Sequence, residues 1–295
     1  MKSHLPALLV GLCVSALAAT AQTSFKRTDT PARTGVPARP QPQPAANPFL
    51  PAPAAPSLPP QSIRVQPRSF NLDTALARLL ADLKAVTAAG EFELSVTNGS
   101  KVEVTRLPLM FHMMEGRVRT ELDLGSVPVS IESNGPFTAL RAAGINRVVT
   151  LTMSAVNFRL THQLFPDAKA FITQQLPDED IPALIRLEKV SLGKDPATGM
   201  EKFLGTLTYI NGEKRQARLW QTAAATPQLA QVQFDVGDTL ITVRFRSLQS
   251  LADARTPAAL AGAAALFQIP TNYIKHSDVG QMLQIFSASQ TRVRR

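Results

Sequence analysis

From Glu91 to Leu124 hydrophobic and polar residues alternate in successive short runs. Phe92, Leu94 and Val96 stand against Glu93, Ser95 and Thr97, and Val102 and Val104 repeat the pattern. Leu107, Leu109, Phe111 and Met113 follow with the parity shifted by one, then Val118, Thr120, Leu122 and Leu124. A period of two predicts strands with one buried face and one wet face. Asn98-Gly99 and Glu115-Gly116 supply the residues that tight hairpin turns require.

The same alternation continues downstream. Arg147–Ser154 predicts a strand with Val149, Leu151 and Met153 inward, and Asn157–Leu164 one with Phe158, Leu160 and His162 inward. Further strands are expected at Ala168–Thr173, Ile185–Leu192, Lys202–Ile210, Lys214–Thr222, Leu229–Val236 and Thr239–Leu248, with turns at Asn211-Gly212 and Gly237-Asp238. Before the sheet, Leu72, Leu76, Leu79, Leu80, Leu83 and Val86 form one apolar stripe. This predicts a helix from Phe70 to Ala89, capped by Asn71 and ended by Gly90. Shorter helices are expected at Phe137–Ala143, Pro257–Leu266 and Ser277–Phe286, and a turn at Ser133-Asn134-Gly135-Pro136. About ten or more strands with roughly three or four helices define an α+β fold: one large curved antiparallel sheet, an open half-barrel, covered by a few helices.

The N-terminus changes the compartment. Lys2, the apolar run Leu5–Ala19 and the sequence Ala19-Thr20-Ala21 have the anatomy of a secretory leader over residues 1–21, so a periplasmic or secreted location is expected. The apolar run is too short to span a bilayer, and no later stretch is longer, so no transmembrane segment is expected in the mature chain. The single cysteine, Cys13, lies inside the leader behind Leu12, which is not the small residue a lipid-anchored start needs. A mature chain without cysteine has neither disulfide nor thiolate chemistry. Residues 22–68 hold twelve prolines between Pro31 and Pro67 and read as an extended, disordered linker. The globular part is expected at 69–287 and a basic tail at 288–295.

The net charge of +9 suggests nucleic acid until it is located. Residues 22–68 carry six Lys/Arg against Asp29, and the tail adds Arg292, Arg294 and Arg295. Residues 69–291 are balanced, so a basic nucleic-acid groove is excluded from the globular part. The basic linker is instead a possible contact for an envelope partner.

No catalytic signature is present. His112, His162 and His276 are not spaced with carboxylates as metal ligands, and no nucleophile elbow, phosphate loop or dinucleotide fingerprint occurs. Asp178, Glu179 and Asp180 are adjacent and read as a solvated loop. Neither an enzyme nor a cofactor is expected. Met110, Met113 and Met114 surround Phe111 and His112, a soft apolar patch suited to core packing or to an irregular hydrophobic ligand. The sole tryptophan, Trp220, shares a face with Arg218 and Gln216.

Two stretches carry a family resemblance. Met114-Glu115-Gly116-Arg117-Val118-Arg119-Thr120-Glu121-Leu122 is a strand that turns at Gly and returns with basic and acidic residues. Leu266-Phe267-Gln268-Ile269-Pro270-Thr271-Asn272-Tyr273-Ile274-Lys275 is a closing segment of the form F-x-I-P-x-x-Y. With the leader, the first helix and the run of hairpins, the chain from about Phe70 to Leu283 resembles the periplasmic lipoprotein-carrier (LolA-like) superfamily, in a bacterial branch of unknown function. The resemblance implies a hydrophobic cavity between sheet and helices that takes an acyl chain, a lipoprotein or a hydrophobic peptide without chemistry. Leu109, Phe111, Met113, Leu160 and Phe245 are the expected lining. The competing expectation is an envelope structural protein tethered through its linker, with the cavity merely filled.

Overall fold

A computed structural model of the chain describes residues 70–127, 137–155, 158–224, 228–250, 262 and 264–293. The expected leader, the Pro-rich linker, the Ser133–Pro136 turn, most of the Ala-rich helix and the last residues of the tail lie outside the described residues.

The elements in chain order are α1 (Leu72–Leu79), β1 (Ala85–Asn98), β2 (Lys101–Met114), β3 (Arg117–Asp123), α2 (Thr138–Ala142), β4 (Arg147–Ala155), β5 (Phe158–Phe165), β6 (Ala170–Gln175), β7 (Arg186–Lys194), β8 (Glu201–Thr208), β9 (Lys214–Gln221), β10 (Leu229–Val236), β11 (Thr239–Ser250), β12 (Ile274–His276) and α3 (Val279–Val293). The twelve strands form one sheet in the order β12-β6-β5-β4-β3-β2-β1-β11-β10-β9-β8-β7. All neighbours are antiparallel except β12 on β6. The first and last strands do not meet in this order, so the sheet is an open half-barrel rather than a closed one.

The inner face is set by register. Phe92 pairs with Leu107, and Ala88 with Phe111. Leu109 pairs with Leu122, and Phe92 with Val243. These residues belong to one buried core together with Leu72, Leu76 and Leu79 of α1. Val102 and Val104 lie on the other face and are exposed. The parity change between Val104 and Leu107 is therefore real, but it occurs inside one unbroken strand whose outer edge is wet.

α1 is shorter than its apolar stripe. The Asn71 side chain accepts from Thr74 N–H at 3.2 Å, and the Leu80 N–H closes the last turn on Leu76. Beyond Lys84 the chain is strand, because residues from Ala85 onward bond to β2 on one side and to β11 on the other. Two ladders outbid the weak helix preference of Val86 and Thr87. Gly90 is thus not a helix stop. It lies at a β-bulge where Ala89 pairs with Ser247 but Gly90 with Phe245, which leaves Arg246 as the extra residue. A Cβ on Gly90 would stand 2.1 Å from the Arg244 carbonyl oxygen.

β4 and β5 run with the opposite parity to that expected. Val148, Thr150 and Thr152 are on the inner face, paired with Leu122, Thr120 and Val118. Val149, Leu151 and Leu164 form a second cluster on the outer face with Phe171, Ile269 and Tyr273. The physical reason is that the outer face is also covered here, by the segment that leads from Phe267 into β12. A strand buried on both faces has no wet side to betray its parity. Past β12 the chain enters α3, whose Val279 and Met282 join the principal core.

The bulge makes one position decisive. Gly90→Ala is expected to lower unfolding stability by about 2 kcal/mol or more, because the methyl group meets backbone rather than a movable side chain. Urea unfolding of the two proteins measures this, and an unchanged midpoint would contradict the close approach.

Candidate functional site

α1 carries the site at its two ends. At the N-terminal end Asp73 points into the sheet and is 2% exposed. Its Oδ1 accepts from Thr120 Oγ1 at 2.7 Å, and its Oδ2 from Thr150 Oγ1 at 2.7 Å and Thr152 Oγ1 at 2.9 Å. The three threonines stand on the inner face of β3 and β4. Thr152 in turn lies 3.2 Å from Thr161 of β5. Burial pushes the Asp73 carboxyl above its ordinary value of 3.8, against the three hydroxyl hydrogen bonds that lower it.

At the other end of α1 lies a cavity of about 230 Å³. Its apolar wall is Leu79, Leu80, Leu83, Leu229 and Leu248, and its remaining lining is Asp82, Lys189, Gln221, Gln228 and Ser250. Two irregularities in the sheet build this wall. Before the bulge the odd residues of β11, such as Ile241 and Val243, face the core. After it Leu248 and Ser250 face inward, paired with Ala88 and Val86. In β10 a second register shift separates the pairs Leu229–Gln221 and Gln231–Trp220. It turns Leu229 to the same side as Val232, which regular alternation would forbid. Bulges re-aim side chains, and here both aim them into one space.

The five residues expected to line a cavity fall differently. Leu109, Phe111 and Met113 share the inner face and are packed core, each 6% exposed or less. Phe245 is partly buried against that same core. Leu160 pairs with Met153 and Gln175 and lies on the outer face with His162, away from the other four. None of the five lines the cavity described above. Sequence reasoning passed over the residues that do, because Leu229 and Leu248 reach it only through bulges.

The outer face holds His112, His162 and many of the ion pairs. His112 Nδ1 lies 3.2 Å from Thr87 Oγ1, and His162 Nδ1 3.0 Å from Thr173 Oγ1. Burial lowers both imidazoles below the usual histidine value. Among the described residues no group of three or more His, Cys, Asp or Glu is arranged to hold a metal. Trp220 donates from Nε1 to Asp195 Oδ2 at 2.5 Å, with the Lys202 ammonium 5.1 Å from its ring. The two motif stretches meet on this face: Arg119 donates to the Leu266 carbonyl at 2.7 Å and to Glu121 at 2.6 Å. Among the described residues no helix is long and apolar enough to cross a membrane.

No protein-family model matches the chain, and no curated protein does. Several solved structures are similar to it. An uncharacterized conserved protein from Thermus thermophilus is 15% identical over 68% of this chain and 96% of that one, with a TM-score of 0.35. The lipoprotein LppX of Mycobacterium tuberculosis is 12% identical over 58% of this chain and 89% of that one, at 0.27. A LolA superfamily protein from Nitrosomonas europaea is 8% identical over 55% and 85%, at 0.27.

The Asp73 cluster is testable apart from any ligand. Asp73→Ala leaves three buried hydroxyls without their acceptor and is expected to cost about 3 kcal/mol in urea unfolding. Asp73→Asn tests the charge. The unfolded carboxyl releases its proton near 3.8 and the folded one at higher pH. Its contribution is therefore greatest below 3.8 and falls as pH rises through the folded value. The stability of wild type minus that of Asp73→Asn is expected to decline over that range, and a difference that rises with pH would contradict the burial.

Proposed function

We propose that this is an exported, non-catalytic binding protein that holds one hydrophobic chain in the leucine-lined cavity at the end of α1. The observation that carries the reading is the convergence of five leucines from α1, the segment after it and two bulged strands on one space of about 230 Å³. Such a space is smaller than the roughly 300–1,000 Å³ that encloses a drug-sized molecule. It suits a stretch of about half a dozen methylenes of one acyl chain, or a single large apolar side chain, and is too small for a whole lipid with several chains.

Magnitudes set what the cavity contributes. Each buried methylene is worth about 0.8 kcal/mol. Half a dozen give about 5 kcal/mol, which alone corresponds to a dissociation constant of about 0.2 mM. A chain held by the leucines alone exchanges rapidly, as a carrier requires. Tighter retention needs contacts at the rim. The leader-like residues 1–21 support export, and an apolar cargo fits an envelope setting.

Nile red, an uncharged dye that brightens in apolar sites, tests this. The wild-type protein is expected to enhance its emission. Leu83→Trp, which fills the cavity from its half-buried wall, is expected to reduce the enhancement to about a third or less. Leu192→Trp, at an exposed position on β7, is expected to leave it unchanged. No enhancement by wild type, or equal enhancement by the Leu83→Trp protein, would overturn the reading.

A further inference from the structure

The cavity rim has a charge pattern that the hydrophobic reading leaves unused. Lys189 is on β7 with the parity of Leu187, which packs on the core, so a lysine occupies an inward-facing position of the sheet. Its partner across the ladder is Gly205, which puts no side chain beside it. The lysine stem can therefore lie along the leucines while its ammonium stays at the rim. Asp82, in the turn after α1, lines the same cavity and is exposed. Among the described residues neither charge has an ion pair within 4.0 Å, so the two do not neutralise each other. This is unlike the outer face, where Glu91, Glu93, Arg244 and Arg246 are all paired. Gln221, Gln228 and Ser250 add neutral donors and acceptors to the lining.

We infer that the rim selects the head of a single-chain amphiphile, and that the head is a zwitterion carrying one anionic group and one ammonium, for which lysophosphatidylethanolamine is the probe. The inference rests on the reading of the cavity as a chain-binding site. The volume admits about half a dozen methylenes of one chain, so a head at the rim requires a short chain, and the amphiphiles compared below carry chains of about six to eight carbons. Lys189 meets the anionic group and Asp82 meets the ammonium. A head with negative charge alone is attracted by Lys189 and repelled by Asp82, and a cationic head has the reverse difficulty. Only a head carrying both charges satisfies both residues. The pair thus works as a discriminator against other amphiphiles of the same chain length.

The test is displacement of Nile red from the full chain by four competitors below their micelle concentrations. These are lysophosphatidylethanolamine, lysophosphatidylglycerol and a fatty acid of equal chain length, and phosphoethanolamine with no chain. The ethanolamine lysolipid is expected to displace the dye at the lowest concentration, and phosphoethanolamine not at all. Asp82→Asn is expected to weaken the ethanolamine lysolipid about three- to fivefold, the range for an exposed ion pair, and to leave the glycerol lysolipid equal or stronger. Lys189→Met, which keeps the apolar stem, is expected to weaken both lysolipids by a similar factor. Equal displacement by the two lysolipids in wild type and both variants would overturn the zwitterion while leaving the cavity reading intact. Displacement by phosphoethanolamine at the lysolipid's concentration would overturn the single-chain part. A wild-type protein that never brightens the dye would instead overturn the cavity reading itself.

Discussion

A carboxylate withdrawn from water holds this fold in register. An eight-residue helix does not persist alone, because nucleation costs more than so few hydrogen bonds return. Leu72, Leu76 and Leu79 fasten α1 to the sheet but leave its sliding position loosely defined, since apolar contact has little direction. Asp73 removes that freedom. Its two oxygens take three hydroxyls from adjacent strands, and any shift of the helix along its axis breaks them. Burial raises the carboxyl's pKa, so this definition is bought against a desolvation penalty. With the first turn fixed, the helix must end where it does, and the space beyond Leu79 and Leu80 becomes the cavity.

The strands were legible because most of them have one wet face. The hairpins at Asn98-Gly99, Glu115-Gly116, Asn211-Gly212 and Gly237-Asp238 follow from residues that accept positive φ, and Glu115 itself adopts 52° beside Gly116 at 77°. The alternation from Leu107 to Met113 marks the core as expected. What could not be read was any feature that depends on a second layer. Val149 and Leu151 advertise a buried face, yet that face lies beneath Ile269 and Tyr273, more than a hundred positions later in the chain. Thr150 and Thr152 look solvent-facing and are in fact the partners of Asp73. That residue resembles an ordinary first-turn acid on the helix surface. The bulges were invisible for the same reason: nothing local distinguishes Arg246 or Ala230 from a regular strand residue, so the inward turns of Leu248 and Leu229 could not be counted.

The two faces of the sheet manage polarity differently. On the outer face of β2, β1 and β11, Arg106 and Arg244 converge on Glu93 at 2.7 and 3.0 Å. Hydrogen bonding from Arg244 leads the causes that hold that carboxyl below its usual range. Glu93 is buried while its two arginines reach solvent, so water screens the cationic ends of these pairs. Their effect is to keep this part of the outer face hydrophilic. The Arg119–Leu266 bond does the corresponding work at β3, where the covering segment starts. The inner face also carries charge at Asp73, Arg159 and Arg215, but Asp73 is held by hydroxyls, Arg159 pairs with Asp178 and Arg215 with Glu213, whereas Lys189 has no ion pair among the described residues.

A sheet closed by its own side chains has no capacity for a guest, so a binding role requires a place where packing stops. Along most of the inner face it does not stop: Phe92, Phe111, Leu107 and Leu122 are at most 1% exposed. Among the described residues, capacity arises where α1 has ended and two strands have each gained a residue. The extra residues rotate leucines toward the gap without filling it, and the strand edge β7 brings Lys189 to its margin. The half-barrel therefore divides its interior in two. The part beneath Asp73 is dense and supplies stability, and the part beyond Leu80 is underfilled and supplies affinity. A ligand that leaves this second part need not disturb the first, because the carboxylate clasp and the leucine wall share a helix but no side chain.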